Sequence, residues 1–119
     1  MFKIIYLAAV MAMLSGCSGF IDKVKNTELK EEYFSASVER TQGCLQYQSL
    51  RHQFYLEQDD PLPNGDKRYN LLRDHDAVAN IDMGKSGRQT LVNFFYDKRD
   101  PQVKSALTDI IHQCHRDLD

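Results

Sequence analysis

From Ile4 to Leu14 the chain carries no charge, and a small positive start, Met1-Phe2-Lys3, precedes this run. At roughly 1.5 Å of rise per residue the run makes about 16 Å of helix, half the hydrocarbon core of a bilayer, so a stable span is disfavoured. The layout is that of a secretory signal, an address removed from the finished protein, and residues 1–16 are assigned to it. Roughly a hundred residues then remain, enough for one modest domain and too few for two, and a core of that size is thin.

The apolar run closes on Leu14-Ser15-Gly16-Cys17. This tetrapeptide resembles the lipobox of bacterial lipoproteins: an aliphatic residue, two small residues and an obligatory cysteine. The resemblance covers the first seventeen residues and implies cleavage between Gly16 and Cys17. It also implies a diacylglyceryl group on the Cys17 sulfur and acylation of the new amino terminus. Two or three acyl chains, such as palmitate, at about 0.8 kcal/mol per buried methylene, would hold the domain to a membrane permanently. In that family an aspartate after the cysteine favours inner-membrane retention. Ser18 stands there instead, so in a cell with two membranes the expected place is the outer membrane, facing the periplasm, the alternatives being the inner membrane or a Gram-positive cell membrane. Residues 17–26 read as a lipidated tether, in which Lys23 and Lys25 can meet anionic headgroups.

An exported domain sees an oxidising compartment, and with Cys17 assigned, Cys44 and Cys114 remain as a pair. They are expected to form a disulfide, the alternative being two buried thiols. Lys and Arg total 15 against 17 Asp and Glu, a formal net charge of −2. No strongly basic surface is available, so a nucleic-acid partner is not expected.

From Asn26 or Thr27 to about Gln58 the chain has no proline. Leu29, Tyr33, Ala36, Arg40, Gly43, Tyr47, Leu50 and Phe54 follow one another at steps of four and three. That spacing predicts a long first helix, with Phe34, Val38, Leu45 and Leu56 on a second side of it. Pro61, Pro63 and Asn64-Gly65 mark a loop. Leu71, Leu72, His75, Val78 and Ala79 suggest a second helix. Ser86 with Gln89 resembles a capping box and favours a third at 87–97, although Val92, Phe94 and Tyr96 alternate as a strand would. Asp100 and Pro101 start the last helix, on which Val103, Leu107, Ile110, Ile111, Cys114 and Leu118 form one stripe. The expected fold is therefore mainly α, a bundle of three to four helices over 27–119 with one disulfide. The alternative is α+β with a hairpin at about 77–96.

No catalytic signature stands out. Ala79 to Ser86 satisfies the loosest form of a phosphate-binding loop, but Ile81, Asp82 and Met83 would obstruct and repel an anion. His112 and His115 flank Cys114 at a spacing that metal sites use, yet two histidines at the end of a helix also complement its dipole. His52, His75 and the acidic pairs Glu31-Glu32, Asp59-Asp60 and Asp74/Asp76 read as solvated or edge residues. Neither a cofactor nor a metal site is expected, nor enzyme activity.

Phe94, Phe95 and Tyr96 cannot all be buried on one face of a helix or a strand, so they are candidates for a partner surface. The expected function is binding of an envelope protein by a lipid-anchored domain. In architecture this is similar to the helical pilotins that assemble secretins. The rival expectation is a periplasmic immunity protein or enzyme inhibitor.

Overall fold

The computed structural model describes residues 26–119. The signal peptide, Cys17 and the tether lysines lie outside them. Strands hold 41% of these residues and helices 34%, so the expected helical bundle is incorrect. Five antiparallel strands, β1 (Thr27–Phe34), β2 (Tyr55–Gln58), β3 (Lys67–Arg73), β4 (Asp76–Ser86) and β5 (Gln89–Asp97), form one sheet in the order β1-β5-β4-β3-β2. Two helices, α1 (Val38–Arg51) and α2 (Pro101–Leu118), complete the domain. This is an α+β layout in which helices cover one face of an antiparallel sheet.

The core lies between sheet and helices. Strand residues alternate, so Leu56, Tyr69, Leu71, Ala79, Ile81, Met83, Val92, Phe94 and Tyr96 all point to the helical side and are buried. The helices answer with Leu45 from α1 and Val103, Leu107, Ile110, Ile111 and Cys114 from α2. The α2 stripe is the one legible in the sequence. Asp100 caps the helix by accepting from the Val103 N–H at 3.2 Å, with Pro101 behind it. Arg73 grips the same carboxylate at 3.0 and 3.3 Å, tying the end of β3 to the start of α2 and holding the Asp100 carboxyl below its usual range.

The expected first helix is three elements, β1, α1 and β2. Its early part is β1, and the break is Ser35-Ala36-Ser37, where the Ser37 hydroxyl accepts from the Arg40 N–H and starts α1. The row of β1 that faces the helices is Glu28, Lys30, Glu32 and Phe34, charged except at its end. As an edge strand, β1 reaches only the rim of α2, where polar partners meet that row. Glu28 lies 3.8 Å from Lys104, Lys30 donates to Thr108 at 3.3 Å, and Glu32 contacts His115 at 3.0 Å. The expected second helix is β3 and the start of β4, joined by a two-residue turn, Asp74-His75. At 87–97 the chain is β5, not a helix, and Ser86 pairs across the turn with Gln89 instead of capping.

Cys44 of α1 and Cys114 of α2 are joined in a disulfide with Cα atoms 5.9 Å apart. The bridge clamps the two helices to each other over the sheet.

Candidate functional site

The opposite face of the sheet carries no helix among the described residues. Its side chains follow from the register: Leu29 beside Phe95, Glu31 beside Asn93, and Tyr33 beside Leu91 on β1 and β5. On the inner strands Asn80 and Asp82 face Asn70 and Arg68. The face is thus divided. On the β3–β4 side it is polar and internally satisfied, because Arg68 holds Asp82 through two hydrogen bonds of 2.7 Å and Asn70 donates to Asp59 at 3.3 Å. The Asp82 carboxylate, with burial opposing it, raises the Arg68 guanidinium further above its ordinary value. The loop before β3 closes over the same side, laying the Asp66 carboxylate against Gly84, where any side chain would collide with it.

On the β1–β5 side the face is open, with two apolar pairs, Leu29–Phe95 and Tyr33–Leu91, on either side of Glu31 and Asn93. Leu29 is 50% exposed and Tyr33 44%, with Phe95 and Leu91 half-buried beside them on β5. Here the consecutive aromatics separate: Phe94 and Tyr96 are buried in the core, whereas Phe95 alone reaches the open face. Burial, with the Glu28 carboxylate nearby, pushes the Tyr96 phenol up to about 12. Phe94 and Tyr96 are therefore core residues, and Leu29, Tyr33 and Leu91 join Phe95 in their place. Sequence reasoning missed Leu29 and Tyr33 because they were assigned to the seam of a helix, and it did not single out Leu91.

A second feature lies at the corner where α1 ends, β2 begins and β3 turns into β4. An open cleft of about 620 Å³ is bounded there by Leu50, Phe54, Tyr55, Leu72 and the acidic Glu57 and Asp74, with Gln53 and His75 at its sides. Phe54 is buried, whereas Leu50 and Tyr55 are each 53% exposed. Gln53, Asp74 and His75 have φ of 66°, 58° and 106°, and these are the positive-φ non-glycine residues among those described. Asp74 and His75 fill a two-residue hairpin turn whose geometry demands positive φ and ordinarily takes glycine at one of the two places. Gln53 follows the cap of α1, with its N–H on Leu50 O and the next N–H, that of Phe54, on Ser49 O, the paired bonds of a glycine-type helix stop. Glycine at position 53 or 75 would relieve this strain. Gln53→Gly and His75→Gly are each expected to stabilise the fold by about 1 kcal/mol, read as a rise in the urea midpoint.

The histidines do not converge. His52 caps α1, His75 sits in the turn and His112 is exposed. His115 is stacked on Phe34 with ring centroids 4.3 Å apart, and its two nitrogens meet Asp119 at 2.6 Å and Glu32 at 3.0 Å. Burial opposes the imidazolium, but the two carboxylates outweigh it and hold the pKa above the ordinary value. Asp119 is in turn lowered, first by the Ser35 N–H and also by His115. Since the unfolded imidazole titrates near 6.5, the ion-pair contribution is complete below about that pH and fades as pH rises through the higher folded value. Unfolding free energy is therefore expected to fall by up to about 1 kcal/mol between mildly acidic and mildly alkaline pH, and His115→Gln to flatten that slope. Urea titrations of both proteins at several pH values measure it.

Among the described residues no group of His, Cys, Asp and Glu is arranged to hold a metal ion, and no helix is long and apolar enough to cross a membrane. The segment from Ala79 to Ser86 is extended strand. No protein-family model matches the chain, and no curated protein sequence matches it.

Proposed function

We propose that this chain is a lipid-anchored envelope protein whose α+β domain docks a protein partner on the helix-free face of its sheet. The observation that carries the docking is the strip of Leu29, Tyr33, Leu91 and Phe95, two apolar pairs with Glu31 and Asn93 between them, which no other described element covers. The other face of the same sheet is sealed by two helices, and large apolar side chains left exposed near one another on an exported domain mark an interaction site. The anchor is supported by Leu14-Ser15-Gly16-Cys17, and Ser18 favours the outer membrane, with the domain facing the periplasm. Nine residues separate Cys17 from Thr27, at most about 35 Å when extended, so the partner is met close to the bilayer. The role is that of an accessory or assembly factor and not of an enzyme. The likeness to helical pilotins loses its basis, because it rested on a helical bundle.

Two experiments test the two halves. Radiolabelled palmitate is expected to enter the wild-type protein and not Cys17→Ser, which should also leave the membrane fraction. An unlabelled wild type would contradict the anchor. In-cell crosslinking of the full chain should yield a discrete adduct that disappears in Leu29→Asp/Phe95→Asp. An adduct that survives this double change would contradict docking on the sheet.

A further inference from the structure

We infer that the corner cleft between α1, β2 and the β3–β4 turn binds an extended stretch of polypeptide that alternates basic and apolar side chains. The apolar lining of the cleft is the buried Phe54, the half-buried Leu72 and the exposed Leu50 and Tyr55, so an aliphatic or aromatic side chain is what it would desolvate. Its volume of about 620 Å³ is that of a site for a few side chains. Glu57 and Asp74 supply its charge, and no lysine or arginine lines it, so the complementary occupant is cationic. The same charge disfavours an anionic lipid surface.

The neighbouring strand specifies an extended peptide. β2 is the last strand in the sheet order, and no other strand among the described residues pairs with its outer edge. A peptide laid along Tyr55–Gln58 can add backbone hydrogen bonds there and drop alternate side chains into the cleft. The backbone points to the same place. Every non-glycine residue of positive φ among those described borders this one cavity. The helix stop and the hairpin turn that require these conformations therefore meet at the rim of the cleft and fix its edges. The cleft is separate from the strip on β1 and β5, so the two can fail independently.

The test uses full-length protein in zwitterionic nanodiscs and three fluorescent peptides of about ten residues. One alternates lysine or arginine with leucine, one replaces its basic residues with glutamate, and one replaces its leucines with serine. The first is expected to bind saturably in an anisotropy titration, and each of the others at least about tenfold more weakly. Glu57→Lys and Tyr55→Ala, both on exposed side chains, should each weaken the first peptide by about fivefold or more, while Leu29→Lys on the open face changes nothing. His75→Gly should weaken it while raising the urea midpoint, a combination that a purely structural residue would not give. Failure of the basic peptide to bind above empty nanodiscs, equal binding of its glutamate counterpart, or unchanged affinity in Glu57→Lys would each overturn the assignment.

Discussion

Replacing Cys44 and Cys114 together by serine is expected to lower the unfolding free energy by about 4 kcal/mol. The bridge closes a loop with a sequence separation of 70 residues, and in the chain-entropy model its loss returns that much freedom to the unfolded chain. A domain of roughly a hundred residues has a stability of only about 5–15 kcal/mol, so the loss is a large fraction of the whole. The position of the bridge adds to the effect. α1 presents only Leu45 from its interior as a large, fully buried apolar side chain, whereas α2 presents Val103, Leu107 and Ile110, with Ala106 and Ile111 also buried. Without the clamp, α1 should be the first element to detach. Hydrogen exchange should therefore show the amides of Thr41 to Ser49 losing protection before those of α2. A double variant as stable as the wild type would mean that the sheet and α2 hold α1 without help.

The second large effect separates neighbouring aromatics. Phe94→Ala is expected to cost about 4 kcal/mol, because the side chain is fully buried between Ile81 and the helices and its removal leaves a cavity in a thin core. Phe95→Ala, one residue away on the other face, should cost less than about 1 kcal/mol. Chemical denaturation of the two variants measures the difference directly. Similar costs for both would be incompatible with the alternation of β5.

How far the sequence revealed this arrangement depended on what each element buries. α2 was legible because Asp100-Pro101 starts it and its apolar stripe advances by both threes and fours, which only a helix places on one side. The disulfide was legible from cysteine number and compartment. β1 was not, since a step of four returns to the same face in a strand as well as in a helix, and Leu29 with Tyr33 satisfies both. The steps of two that would have distinguished them fall on Glu28, Lys30 and Glu32, whose charge hides the inward row of an edge strand.

The β3–β4 hairpin was obscured for a different reason. Its turn is Asp74-His75, not the aspartate or asparagine with glycine that such turns usually display, so Leu71, Leu72 and Val78 looked like one helical face. In β5 the alternation of Val92, Phe94 and Tyr96 was visible, but the apparent capping box of Ser86 and Gln89 outweighed it. Those two residues do face each other, across a turn. The open face and the corner cleft depend on these strands, so neither could be seen before the sheet was.

Docking on the helix-free face is tested most directly by placing a photo-crosslinking amino acid at single positions of the lipidated protein in living cells. Positions 29, 91 and 95 on the open face are compared with position 109, which is exposed on α2. Discrete protein adducts from the first three and none from the fourth are predicted. Absence of adducts at 29, 91 and 95, or an equally strong adduct at 109, would contradict it.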